Sequence, residues 1–327
     1  MRIAVFGAGA IGCYVGGRLA AAGGDVVLIG RARIGAEIGG GLTLTDYRGG
    51  RVVTGPLPFA ETPEAAAGAE LVLVCVKSQA SVSAAEALRP VLAPGALVVS
   101  LQNGIGNAGV LAEGLGRPVL AGMVGFNVAA QGGGHFHQGT QGDLHVAREA
   151  RLPLELFARA GLPLVLHDDM APVLWAKLQF NLNNAINALS GLPLKDQLSD
   201  RAFRRCLALA HGELLALCAE AGQNLARLTP LPAAWLPAVL RLPDPLFRLI
   251  AGGMLKIDPL ARSSMADDLA QGRAPELAAI NGEVARLAPR LGRGAPVNDR
   301  LTALVHEAAT TGRRWSGAAL LAALDPD

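Results

Sequence analysis

The sequence predicts an α/β N-terminal domain built on a mostly parallel sheet, followed by an all-α C-terminal domain. Three observations predict it. A short apolar run, Arg2 to Phe6, ends in Gly7-Ala8-Gly9-Ala10-Ile11-Gly12, and an Ala-rich segment follows to about Ala22. Apolar, β-like runs then alternate with helix-compatible segments as far as His167. From Ala171 the pattern is almost purely helical. The change of pattern places the boundary between residues 1–167 and residues 168–327.

The opening strand–turn–helix is the context in which G-x-G-x-x-G signifies dinucleotide binding rather than a plain glycine-rich turn. Gly7 permits the tight turn, Gly9 lets a pyrophosphate approach the backbone, and Gly12 allows close packing of the helix. Gly7, Ala8, Gly9, Ala10, Ile11 and Gly12 are therefore expected to cradle phosphates on free N–H groups at a helix N-terminus. Gly23 and Gly24 end that helix, and Asp25 to Ile29 reads as the second strand. NAD sites usually place an acid just beyond this strand. Here the chain continues Gly30-Arg31-Ala32-Arg33. Arg31 can meet a 2′-phosphate, which favours NADP over NAD; the alternative is a solvated surface arginine.

Short β-like pieces at Leu42–Leu44 and Arg51–Val53 precede an Ala-rich segment, Glu61 to Ala69, that reads as helix. Glu70 to Val76 is a continuous apolar run, as expected of a parallel strand buried on both faces. It ends at Lys77. Ligands of open α/β sheets sit beyond the carboxyl ends of strands, so Lys77 is a candidate for the cofactor site as well as for simple solvation. A helix over Ala80 to Leu92 leads to a strand at Ala96–Leu101 and then to Gln102-Asn103-Gly104. Asn103 is either a turn residue or an amide aimed at the nicotinamide. Further β-like pieces are Val119–Val124, Asp143–Ala147 and Leu162–Leu166.

In the helical half, Val173 to Leu189 is strongly apolar yet carries Lys177, Asn181 and Asn184 at i, i+4 and i+7. At about 100° per residue all three lie within roughly 40° of one line on a single helix. Burying such groups unpaired costs roughly 2–7 kcal/mol each, so the stripe should line a wet cleft, meet a polar ligand or face solvent. Arg201 to Ala221 reads as a long helix, and Thr229 to Pro245 as short helices and loops around Trp235. Pro275 to Leu291 reads as a helix holding Glu276, Asn281 and Gly282, and Asp299 to Thr311 as the last helix, with a loosely held tail after Trp315.

Composition excludes several classes. Of 327 residues, 51% are hydrophobic and 17% charged, which argues against disorder. A net charge of +2 gives no general pull toward nucleic acid. Cys13, Cys75, Cys206 and Cys218 form no C-x-x-C pair, so no metal motif is visible, and they read as reduced thiols of a cytoplasmic protein. Residues 1–22 mimic a secretory signal, but glycines at 7, 9, 12, 16 and 17 interrupt the apolar stretch. No uninterrupted apolar run is long enough to predict a membrane span.

Taken together, the separated motifs resemble the ketopantoate reductase (2-dehydropantoate 2-reductase) family over nearly the whole chain. The resemblance is carried by Gly7–Gly12, Arg31, Val76-Lys77, Asn103-Gly104, Leu174-Trp175-Ala176-Lys177-Leu178 with Asn181, Ser263-Ser264-Met265 with Asp268, and Glu276 with Asn281-Gly282. It implies an N-terminal Rossmann domain, a helical C-terminal domain and a substrate cleft between them. It further implies NADPH-dependent reduction of ketopantoate, in pantothenate (vitamin B5) and coenzyme A synthesis. Lys177 corresponds to the family's catalytic lysine, and Asn181 to its substrate-binding asparagine. Ser264 corresponds to the holder of the substrate carboxylate. Glu276 corresponds to the cleft glutamate near ribose and carbonyl, and Asn103 to the asparagine between cofactor and lysine. Many members carry a second asparagine eight residues after the lysine, where this chain has Ala185, so Asn184 is the expected replacement. The implied partner is a small 2-keto acid, and the apolar C-terminal helices make a homodimer through that half the expected assembly. The alternatives are a reductase of another 2-keto or 3-hydroxy acid on the same fold, and a non-catalytic NADP(H)-binding sensor.

Overall fold

Apolar runs that alternate with helices must bury both of their faces, and here they do so around the first strand. The computed structural model describes residues 1–252, 258–259 and 261–325. The chain divides into two units, Met1–Met170 and Ala171–Asp327. The first unit runs β1 (Arg2–Phe6), α1 (Ala10–Ala21), β2 (Asp25–Ile29), α2 (Ala32–Ile38), β3 (Thr43–Asp46), β4 (Arg51–Val53), β5 (Phe59–Ala60) and β6 (Leu71–Val74). It continues with α3 (Ser81–Leu88), β7 (Leu97–Ser100), α4 (Asn107–Leu115), β8 (Leu120–Val124), β9 (Val128–Gly132), β10 (His135–Gln138), β11 (Leu144–Ala147), α5 (Leu154–Arg159) and β12 (Leu164–His167).

One sheet has eight strands in the order β12-β11-β8-β7-β6-β1-β2-β5. Among its described pairs only β11 with β8 is antiparallel. The register sets Phe6 beside Ile29 and Val74, and Val74 beside Ser100. The carboxyl ends of β1, β2, β6 and β7 therefore share one edge, which brings the Gly7 turn, Gly30, Lys77 and Asn103 to the same end of the sheet. Successive side chains point to opposite faces. Ile3, Val5, Leu28, Leu73 and Val99 join α1 in one core, while Ala4, Val27, Val72, Val74 and Val98 join Leu88 and Leu111 in the other.

Three features of this unit depart from the sequence reading. Glu61 to Ala69 forms only a 3-10 turn, Pro63–Ala66, which ends where Ala67 turns extended (ψ 133°) ahead of Gly68 at φ +72°. A second sheet, β4-β3-β10-β9, brings residues 43–53 beside residues 128–138. Helices α2, α4 and α5 fall in stretches with no clear helical pattern.

The second unit, among its described residues, is helical: α6 (Ala171–Asn181), α7 (Asn183–Ser190), α8 (Leu194–Ser199), α9 (Arg201–Glu220), α10 (Leu236–Arg241), α11 (Asp244–Ala251), α12 (Ser264–Ala270), α13 (Asn281–Arg290), α14 (Pro296–Thr311) and α15 (Gly317–Leu324). Asp200 caps α9 by accepting the Ala202 N–H at 2.7 Å. The helix read from Val173 to Leu189 is interrupted at Leu182, which keeps helical torsions (φ −58°, ψ −25°). Asparagines compete for backbone-like bonds and propagate helix poorly. Here Asn183 is held by Gln197, and Asn187 by Leu192 and Ser263, so α7 answers to those partners rather than to α6. The helix expected over Pro275–Leu291 begins instead as a 3-10 turn, Leu277–Ala279, before α13. The tail is also firmer than expected: α15 packs on α9 with Leu320 and Leu324 buried, and Ser316 caps it. Residues 326–327 of that tail lie outside the described residues. No helix of the described residues is long and apolar enough to cross a membrane.

Candidate active site

In the first unit, the candidate residues begin at the turn between β1 and α1. Gly7 has φ +110°, and a Cβ there would stand 2.6 Å from the Val76 backbone nitrogen. A Cβ on Gly12 would collide with the Gly7 carbonyl oxygen. Gly9 differs: a Cβ there would meet nothing within 4 Å. The chain therefore leaves an open space above Gly9 that its own side chains do not fill. The first intrahelical bond is Cys13 N–H to the Gly9 carbonyl at 2.8 Å, so the N–H groups of Ala10, Ile11 and Gly12 precede the ladder. An unfilled cradle lined by helix N-terminal donors fits a dinucleotide pyrophosphate. Ala8 is anchored by its N–H to the Ile29 carbonyl (2.9 Å), and Gly30 is so close to Ala8 that a Cβ on it would lie 2.7 Å from the Ala8 Cβ. Arg31 follows directly, exposed, in extended conformation before α2.

Lys77 and Asn103 leave adjacent strands and are tied to one another by a polar network. Ser78 Oγ donates to the Asn103 carbonyl at 2.7 Å, and Asn107 Nδ2 donates to the same carbonyl. Ser81 Oγ donates to Asn107 Oδ1 (2.8 Å) and accepts from Gln102 Nε2 (2.8 Å), and Ser100 Oγ donates to Gln102 Oε1 (3.0 Å). Buried and mutually bonded, these groups fix two loops in one geometry. The sequence reading missed Ser78, Ser81, Gln102 and Asn107. Their one local signal is a cluster of small polar residues just after two strand ends.

The helical unit holds the other candidate residues. Lys177 and Asn181 are one turn apart on α6; Lys177 is half-buried and Asn181 buried. Burial among apolar neighbours pushes the Lys177 ammonium down to about 8. Asn184 is half-buried and belongs to α7, not to the helix of Lys177. Ala185 is fully buried, so that position faces the core. Ser263 and Ser264 have different roles. Ser263 is buried: its Oγ accepts the Ala266 N–H at 3.1 Å and donates to the Asn184 carbonyl at 3.3 Å, while its N–H donates to Asn187 Oδ1 at 2.9 Å. That lattice docks α12 on α7 and leaves Ser264 exposed as the first residue of α12. Asp268 is buried and accepts from Arg273 Nε at 2.9 Å. Glu276 is buried just before the turn Leu277–Ala279. Asn281 is buried against Asn298, whose backbone and side chain bind Glu213, so the Asn281 amide builds α13 onto α14.

Comparison with known proteins adds identity to this geometry. Residues 3–150 match the family model described as ketopantoate reductase PanE/ApbA, and residues 169–309 match its C-terminal model. A 2-dehydropantoate 2-reductase of Halobacterium salinarum is 32% identical over 236 residues, covering 65% of this chain and 76% of that one. A PanE/ApbA family ketopantoate reductase from Ralstonia eutropha JMP134 superposes with a TM-score of 0.80 at 33% identity, over 94% of this chain and 98% of that one. D-mandelate dehydrogenase, solved with NADH and anilino(oxo)acetate, shares the fold at 20% identity and a TM-score of 0.77, over 94% of this chain and 98% of that one.

Proposed function

The chain belongs to the ketopantoate reductase family, and on that premise we propose that it reduces 2-dehydropantoate to pantoate with NADPH, a step of pantothenate and coenzyme A synthesis. It is an oxidoreductase acting on CH–OH groups, and its family uses a nicotinamide dinucleotide. The observation that carries the finer reading is Lys177: a half-buried cation with its proton affinity lowered, one turn from Asn181 on an apolar helix.

The residues divide the work by unit. Gly7, Ala8, Gly9, Ala10, Ile11 and Gly12 hold the pyrophosphate on backbone donors, Arg31 pairs with the 2′-phosphate, and Lys77 and Asn103 border the nicotinamide half. The bound cofactor supplies hydride to the C2 carbonyl carbon. Lys177 donates a hydrogen bond and then its proton to the C2 oxygen as charge gathers there, a contribution of typically about 10²–10⁴-fold. Asn103 orients that ammonium. Asn181, Asn184 and exposed Ser264 hold the substrate's hydroxyl and carboxylate oxygens, and Glu276 accepts from ribose or substrate hydroxyls. Free thiols at all four cysteines support a cytoplasmic setting.

A second reading, reduction of a different 2-keto acid, draws on one observation: Ala185 is buried where many family members place an asparagine. NADPH and NADH oxidation with ketopantoate, ketoisovalerate, pyruvate and phenylglyoxylate tests both. Preference for ketopantoate with NADPH supports the first reading. A strong preference for another keto acid moves the assignment to the second. Tight NADPH binding with no turnover of any of them would point to a binding-only protein.

A further inference from the structure

The first unit contains a cavity of about 160 Å³ that the reaction above does not use. It lies away from the glycine turn, beside Arg18 in the second half of α1. Arg18 follows Gly9 by nine residues, which at about 1.5 Å each put about 14 Å of helix between the two. Its key group is Arg18. Arg18 Nε donates to the Ala160 carbonyl at 2.8 Å, and the guanidinium rests over the Tyr14 ring at 5.9 Å. Gly161, at φ +70°, makes room for it, since a Cβ there would collide with Nη2. The arginine is thus half-buried and held in place.

Among the described residues no carboxylate forms an ion pair with Arg18. Of the two acids in the lining, Asp46 already accepts the Arg48 and Gly50 N–H groups at 2.8 and 3.0 Å, and Asp143 is exposed. Tyr14 and Gln138 satisfy each other at 3.0 Å, and Gln138 Nε2 donates on to the Thr140 carbonyl at 2.9 Å. A positioned guanidinium is the group that recognises carboxylate through a planar fork. The lining also includes Phe126, Leu144 and Leu162, all buried. An arginine in a lining that also holds apolar side chains suits an anion with a short apolar body, and a cavity near 150 Å³ accepts a molecule of about benzene size.

We propose that this cavity binds a small organic carboxylate, its oxygens on Arg18 and its apolar carbons against Phe126, Leu144 and Leu162. Isothermal titration of the full chain with sodium isovalerate tests it, with neutral isovaleramide as control and inorganic phosphate as a second anion. Isovalerate should bind wild type and Ser264→Ala alike, Arg18→Gln should raise its dissociation constant at least about tenfold, and isovaleramide should not bind. Phosphate binding that Arg18→Gln abolishes, with isovalerate inert, would overturn the carboxylate assignment in favour of a bare oxyanion site. Unchanged affinity in Arg18→Gln, loss of binding in Ser264→Ala, or no binding of either anion would overturn the site itself. Should Arg18→Gln fail to fold, phenylglyoxal labelling of the wild-type protein decides. Isovalerate should protect the Arg18 peptide, and unprotected labelling counts against the proposal.

Discussion

At the residue scale, the role proposed for Lys177 makes a prediction about pH. An ammonium whose pKa is pushed down to about 8 is still protonated at neutrality and gives up its proton more readily than an exposed lysine. The acid form exists below that value, so keto-acid reduction should fall as pH rises through about 8, measured as kcat/KM for the keto acid under saturating cofactor. Lys177→Ala should lower kcat by about 10²–10⁴-fold while NADPH affinity, read by fluorescence titration, changes little. Near-normal turnover would remove Lys177 from its role. Arg31 makes a separate, purely electrostatic prediction. Arg31→Ala should weaken NADPH about tenfold or more and leave NADH nearly unchanged; equal losses would mean that Arg31 does not meet the 2′-phosphate.

At the scale of elements, two buried groups of α9 determine how the helical unit holds together. Arg204 is fully buried. It donates to the carbonyls of Leu198, Ser199, Leu240 and Leu242 and to Asp244 Oδ1 at 2.6 Å, and it stacks 4.2 Å from the Phe247 ring centroid. One side chain thereby closes the C-termini of α8 and α10 and the N-terminus of α11. Arg204→Met would leave several carbonyls unpaired and should cost about 3 kcal/mol, visible as a lower denaturant midpoint. A midpoint within experimental error of wild type would contradict this. His211, also buried on α9, has its pKa pushed by burial from 6.5 to about 4, opposed weakly by the Gln179 backbone. The native state therefore holds His211 neutral while the unfolded chain protonates below 6.5. Its contribution is complete above 6.5 and is lost as pH falls toward 4. His211→Leu should flatten stability against pH in that window, and an unchanged acid limb would show that other groups govern it.

At the scale of the whole molecule, α11 presents Leu246, Leu249 and Ile250, which are 47%, 81% and 51% exposed, and Trp235 nearby in sequence is 61% exposed. Positions i, i+3 and i+4 share one helix face, and a contiguous apolar face of this kind marks an interaction surface. We propose this face as the contact of the expected homodimer. Light scattering should give about twice the chain mass for wild type, and Leu249→Asp should shift it toward monomer. A monomeric wild-type protein would end this assignment.

Much was legible because it is local. The glycine turn is a statement about φ and about which positions tolerate a Cβ, and both are written in residue type. The strands at 25–29, 71–74 and 97–100 were legible because strands buried on both faces must be continuously apolar. The spacing of Lys177 and Asn181 was enough to put them on one face of α6. Other features depended on partners distant in sequence. Ser263 differs from Ser264 because Asn187 and Asn184 stand beside it. The second sheet pairs residues about ninety positions apart, as His135 with Thr43, and no local pattern encodes such a pairing. Sequence alone determined the glycine turn, the change from α/β to helix and the placing of Lys177 one turn from Asn181, because each rests on near neighbours. Tertiary structure decided which polar residues face solvent and which brace the fold, because burial and hydrogen-bond satisfaction are settled by residues that meet only once the chain has folded.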